Sequence, residues 1–126
     1  MLPTDDILAI HHLYATYNYA IDAGDAEAYC ACFTAEGVLH RTGGALRGRE
    51  QLSNFARDVA VRRIRHLVSN VVVEGDGDEA VGRAYVTVVR PDEGTFTIVT
   101  AGTYQDQLQR VDGRWRFVER RYQTMT

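Results

Sequence analysis

Four histidines, His11, His12, His40 and His66, are the side chains of this 126-residue chain best suited to moving protons near neutral pH, because an unperturbed imidazole titrates near about 6.5. His11 and His12 adjoin each other on a helical stretch, His40 belongs to a separate strand, and no carboxylates stand at ligand spacing, so no metal site is expected from them. His66 is placed differently. On an extended strand Ile64, His66, Val68, Asn70 and Val72 share one face, which sets the imidazole among apolar neighbours with Asn70 as its nearest polar companion. The same alternation groups Val118, Arg120 and Tyr122 near the end of the chain, where an arginine on an apolar face needs a partner or a ligand. Asp22 ends a helical segment about 100° round from the buried Ile21, and its charge opposes the helix dipole there. That costs about 0.3–1 kcal/mol unless a protonatable group such as His66 faces it. Tyr17 lies on the buried stripe of the same helix. Taken singly, these residues also have plainer readings: a solvated turn aspartate, a core histidine bonded to backbone, a core tyrosine with its hydroxyl at the rim. A one-residue bulge would exchange the faces of Arg120 and Arg121.

Other motifs point away from specific chemistries. Cys30 and Cys32 stand two apart on a helix, about 200° round from each other, so they read as reduced core thiols and not as a disulfide or metal pair. Glu74 to Glu79 is acidic and glycine-rich but lacks the calcium-loop pattern, and is a hairpin tip. Gly43, Gly44 and Gly48 form no phosphate-binding fingerprint, and no serine or cysteine nucleophile motif occurs.

Behind these residues stands an ordinary globular composition, with 45% hydrophobic and 25% charged residues. A chain of this length buries roughly two-thirds of its unfolded surface, and a single domain over residues 1–126 is expected. The formal charge is −3, and the arginines of 41–49 and 62–65 are interleaved with acids elsewhere, which argues against a nucleic-acid partner. No run approaches the roughly 18 apolar residues of a membrane span, and the start, Met-Leu-Pro-Thr-Asp-Asp, is neither basic nor apolar, so a cytoplasmic protein is expected.

The elements that must position the candidates follow from periodicity. Ile7, Ile10, Tyr14, Tyr17 and Ile21 recur at steps of three and four from Thr4 to Ala23, with Thr4 as N-cap and Gly24 as stop. Asp25 caps a short helix from Ala26 to Cys32, with Tyr29 and Phe33 packing. Thr34 to Arg41 is a first strand, Gly43 and Gly44 a turn, and Arg49 to Val61 a third helix carrying Leu52, Phe55 and Val59. Ile64–Glu74, Glu79–Arg90, Thr95–Gln109 and Arg114–Gln123 then alternate with hairpin signals as a four-strand antiparallel meander. Helices followed by strands make an α+β domain with helices on one face of a curved sheet.

Several strings carried by these elements resemble the SnoaL-like branch of the nuclear transport factor 2-like superfamily over essentially the whole chain. They are Tyr17-Asn18-Tyr19-Ala20-Ile21-Asp22-Ala23-Gly24-Asp25, Phe33-Thr34-Ala35-Glu36-Gly37, Gly48-Arg49-Glu50, Arg65-His66-Leu67-Val68-Ser69-Asn70, Gly102-Thr103-Tyr104-Gln105-Asp106 and Asp112-Gly113-Arg114-Trp115-Arg116-Phe117. The resemblance implies a cystatin-like cone: three N-terminal helices packed on a curved, mixed but mostly antiparallel sheet that encloses a pocket. The nearest likeness is to members of the lindane dehydrochlorinase and bile-acid 7α-dehydratase type, whose aspartate and histidine match Asp22 and His66. Their further polar groups match Tyr17 and Arg120. A fold of this kind hosts many reactions, so the chemistry must be argued from the site. Departures narrow it. The general-base aspartate of ketosteroid isomerases would fall near Arg41, and the paired aspartates of the epoxide hydrolases are not visible.

The resulting expectation is a lyase or isomerase that needs no cofactor and acts on a hydrophobic cyclic molecule. His66 takes a carbon-bound proton, Asp22 orients it, and Tyr17 and Arg120 stabilise the departing group or enolate. Tyr14, Phe33, Leu39, Phe55, Val68, Val86, Val88, Tyr104 and Tyr122 are expected as pocket walls, with Asn70 among the substrate contacts. The alternative is a non-catalytic binder of a small apolar ligand, or a scaffold like an oxygenase small subunit. Homodimerisation through the outer sheet face is implied by the resemblance.

Overall fold

The computed structural model describes residues 1–126. Helix α1 spans Thr4–Ala23 and buries Ile10, Leu13, Tyr14, Tyr17, Ala20 and Ile21 along one stripe. Its N-cap is Pro3, in extended conformation, and not Thr4, which is already the first helical residue and makes no side-chain cap. Proline suits that place because its fixed φ and missing N–H cost nothing at a helix start. Gly24 stops the helix in the left-handed region (φ 70°), and its N–H returns to the carbonyls of Ala20 and Ile21. A Cβ on Gly24 would also meet the Ala60 methyl at 2.6 Å, so the helix end depends on glycine twice. The Asp25 side chain accepts from the Ala28 N–H at 3.1 Å and caps α2, Ala26–Ala31.

A six-stranded sheet follows in the order β2-β1-β6-β5-β4-β3, built from β1 (Phe33–Arg41), β2 (Gly44–Arg47), β3 (Arg65–Asp76), β4 (Glu79–Asp92), β5 (Thr95–Val111) and β6 (Arg114–Thr124), with α3 (Gly48–Ala60) between β2 and β3. Strands β3 to β6 form the antiparallel meander, and β1 closes onto β6 in parallel, so the sheet is mixed. The short β2, hidden in the sequence behind the Gly43-Gly44 turn, pairs with β1 from Val38↔Arg47 to Arg41↔Gly44. The helices pack on one face of this sheet, and 24 buried residues form a single apolar cluster between the layers.

Two irregularities in the sheet redirect side chains. The β3–β4 register shifts between Ser69 and Val72, and Asn70 takes φ 56°. Simple alternation therefore fails past Val68: Asn70 and Val72 are exposed, and Val71 and Val73 turn inward instead. On β6 the pairing passes from Leu108↔Phe117 to Gln107↔Glu119, which leaves Val118 as the extra residue. Trp115 and Phe117 before it and Arg120 after it all face the core, while Val118 lines a depression on the outer face and does not share a side with Arg120 and Tyr122. The insertion keeps Arg120 inside and Arg121 exposed.

Candidate functional site

Where α1 ends against the start of β3, the Nδ1 of His66 lies 2.7 Å from Oδ1 of Asp22. The backbone N–H of His66 donates to both carboxylate oxygens at 3.2 Å, so the strand and the ring are held by one carboxyl group. Local structure explains the meeting. The left-handed stop at Gly24 leaves Asp22 in the last turn of α1, and the first paired residues of β3 run past it. An ionised aspartate can only accept, so Nδ1 is the donor in this bond, and in the neutral ring Nε2 is left with the lone pair. No protein group bonds to Nε2.

His66 also lines a cavity of about 340 Å³ between the helices and the sheet. Asp22 does not reach that cavity; it faces an outer depression with Tyr19, Leu67, Val68 and Phe96, and so stands behind the imidazole. Most of the wall is apolar, including Ile21, Leu39, Phe55, Val59, Ile64 and Val88. That outer depression, about 480 Å³, is bordered by His66 as well as Asp22, whereas two larger hollows, of about 540 and 660 Å³, lie on the outer sheet face and contain neither residue.

The expected wall residues divide. Leu39, Phe55, Val88, Tyr104 and Tyr122 line the cavity, as does Tyr17. Tyr14, Phe33 and Val86 do not: each is almost wholly buried in the core beneath it. Val68 opens onto the outer depression, and Asn70 is turned to solvent by the bulge. A glycine makes room for one of the true walls, since a Cβ on Gly102 would occupy the space of the Tyr122 ring.

Tyr17 and Arg120 occupy positions the sequence did not specify. The Tyr17 hydroxyl is 2.8 Å from that of Tyr29, and burial followed by the Tyr29 neighbour holds its pKa well above the ordinary value. It stays protonated. Arg120 is no cavity wall at all: it is completely buried, its Nε donates to Asp106 Oδ1 at 3.1 Å, and Asp106 also accepts from the Tyr14 hydroxyl. The guanidinium carbon stands 3.4 Å from the Tyr104 ring centroid, 4.3 Å from that of Tyr17 and 4.4 Å from that of Phe117. Both terminal nitrogens lack hydrogen-bond partners, and these aromatic faces are what surrounds them. Burial pushes the Asp106 carboxyl above its usual range, and Arg120 pulls it partly back. Any influence of Arg120 on the cavity passes through Tyr17 and Tyr104.

Sequence reasoning missed Asp106, which sits in the polar run Gln105-Asp106-Gln107 with nothing local to distinguish it. It also treated Tyr104 only as a wall. That residue's hydroxyl makes no hydrogen bond within the protein, and burial raises its pKa, so it keeps a proton to offer. The cysteines stay reduced: Cys32, pushed up to about 12 by burial, donates to the Ala28 carbonyl at 3.4 Å, and Cys30 stands 3.0 Å from the Ser53 hydroxyl. His40 is engaged by Glu119 at 3.1 Å. No helix is long and apolar enough to cross a membrane.

Comparison with known proteins places the fold. No curated protein sequence matches the chain. A protein of unknown function from Mycobacterium tuberculosis is similar at 35% identity and a TM-score of 0.89, covering 97% of this chain and 77% of its own. A protein of unknown function with a cystatin-like fold from Nostoc punctiforme is 28% identical, with a TM-score of 0.89 and coverage of 98% and 93%. An NTF2-like protein with a cystatin-like fold from Novosphingobium aromaticivorans is 25% identical, with a TM-score of 0.87 and coverage of 96% and 82%. The SnoaL-like domain matches residues 3–121. On a match spanning nearly every element, from α1 to the buried arginine of β6, the chain belongs to the SnoaL-like family and has its NTF2-like, cystatin-like architecture.

Proposed function

We propose that the protein is a lyase or isomerase working without a cofactor on a hydrophobic cyclic small molecule, with His66 as general base and Asp22 as the group that positions it. The observation that carries this reading is the 2.7 Å contact between Asp22 and Nδ1 of an imidazole whose other nitrogen is free and whose ring borders a largely apolar cavity. The family membership supports a small-molecule site on this scaffold.

In this reading Nε2 takes a proton from a substrate carbon, and the C–H electron pair passes into an enolate or into a new double bond. If a hydroxyl leaves from the neighbouring carbon it takes the proton from the His66 imidazolium and the products are an alkene and water; if a halide leaves, the products are an alkene and halide ion, and the imidazolium passes its proton to solvent. If the proton is returned to a different carbon, the double bond has moved. Asp22 stabilises the imidazolium formed in between. The Tyr104 hydroxyl, unbonded within the protein, donates to the developing negative charge. Tyr17 can do so while Tyr29 supplies the hydrogen bond between them. Exposed Leu67, Val72, Val81 and Tyr85 on the sheet's outer face support a homodimer.

The test is a panel of cyclic β-hydroxy ketones, β-halo ketones and unconjugated enones followed by ultraviolet absorbance. The wild type is expected to turn over at least one class, and His66→Ala and Asp22→Asn to lose it. Turnover surviving both substitutions would end the proposal, and a protein that binds members of the panel without converting any of them would be the binder.

A further inference from the structure

The outer end of the cavity has a charge character that the apolar interior does not. Arg41 at the end of β1, Arg62 just past α3 and Arg90 late in β4 all line it, against the single carboxylate of Asp58. None of the four enters an ion pair within the protein. Such an excess of guanidinium groups is notable in a chain whose formal charge is −3.

Arg41 separates this cluster from an ordinary solvated face. It is half-buried, its guanidinium carbon lies 5.3 Å from the Phe55 ring centroid, and Nη1 donates to the Thr42 carbonyl at 3.0 Å. Its Nε is sealed from solvent and has no acceptor. Gly43, at φ 101°, leaves room for this head, since a Cβ there would come within 3.0 Å of Nη1. A cation half withdrawn from water without a counter-ion is unfavourable until an anion arrives. Phe55 and Thr42, which hold it, line the same cavity.

We propose that the ligand of this cavity is an apolar ring system carrying one anionic group, a carboxylate or a phosphate, with the anion held by Arg41, Arg62 and Arg90 and the ring body lying inward toward His66 and Tyr104. This rests on the reading of the cavity as the ligand site. Guanidinium forks suit both anions, because two parallel N–H groups match two oxygens. Asp58 offsets one of the three charges and leaves the entrance positive, which also draws an anion in from solution.

Isothermal titration of the full chain with 2-naphthoate, 2-naphthyl phosphate and 2-naphthalenemethanol tests it. The two anions should bind at least about tenfold tighter than the alcohol, as expected for charge-assisted hydrogen bonds, and added salt should shrink the difference. The tighter anion identifies the group. Arg62→Gln and Arg90→Gln, both at exposed positions, should each reduce the preference, and adding Arg41→Gln should abolish it, with the anions losing more affinity than the alcohol. Equal affinity for the alcohol and both anions, or a preference that survives all three substitutions, would overturn the anion site and leave the cavity and its Asp22–His66 pair standing. Failure of all three probes to bind the wild type would overturn the cavity reading along with it.

Discussion

Asp106 and Asp22 each hold a basic side chain of a remote element, and water reaches only one of these two pairs. Asp106 and Arg120 face each other across β5 and β6 with side chains 0% and 1% exposed, walled in by Tyr14, Tyr17, Tyr104 and Phe117. Asp22 and His66 join α1 to β3 with 13% and 14% exposed, and the imidazole borders a cavity. The chemical groups are nearly the same in kind. Access decides what each can do: a sealed ion pair orders the core, whereas a base with one free nitrogen at a cavity wall can exchange a proton with a ligand. Between them stand Tyr17 and Tyr104, which touch the guanidinium on one side and the cavity on the other.

The contrast can be broken most forcefully at the sealed pair. Asp106→Ala leaves Arg120 charged, buried and without its counter-ion, and should cost about 3–5 kcal/mol of stability in urea unfolding. Replacing both partners with leucine and methionine should recover much of that loss. An unchanged midpoint for the single variant would mean that the pair does not organise the core.

His66→Ala is the complementary experiment. Turnover should fall by about 10²–10⁴-fold, the usual worth of a positioned base, with a smaller shift of the unfolding midpoint than Asp106→Ala gives. Asp22→Asn sharpens the same point by nitrogen-15 NMR: the wild-type ring should carry its proton on Nδ1, and the variant should lose that tautomeric preference. A ring with its proton on Nε2 in the wild type would contradict the proposed base.

Gly102→Ala probes the wall between the regions. Its methyl collides with the Tyr122 ring and the Gln123 carbonyl, so a loss of about 1–3 kcal/mol is expected, together with weaker binding of a cavity ligand. The smallest effect belongs to His40 and Glu119, a partly exposed contact distant in kind from both pairs. The hydrogen bond from His40 lowers the Glu119 pKa below its ordinary 4.5. A lowered carboxyl stabilises the fold above that unfolded value and loses its contribution as pH falls through the folded one. The urea-midpoint difference between wild type and Glu119→Gln should therefore be fully present above the ordinary value of 4.5 and shrink steadily as pH falls below it; a constant difference would assign it to packing alone.

Much of the scaffold was legible because its signals are local. The stripe of α1, the Gly24 stop, the Asp25 cap and the hairpin tips, with Gly77, Gly94 and Gly113 at positive φ, each depend on residues only a few positions apart. Asp22 and His66, 44 residues apart, were paired through a family resemblance and the uncompensated helix-end charge, and neither of those contains a distance. What only tertiary structure decided involves partners remote in the chain. The β3 bulge turned Asn70 outward, Val118 slipped out of register and kept Arg120 inside, and β1 docked parallel to β6. Asp106, Tyr14 and Arg120 met on three different elements. Strand alternation reports which residues share a face only while the ladder is unbroken, and where it breaks is set by the neighbouring strand, not by the residues themselves.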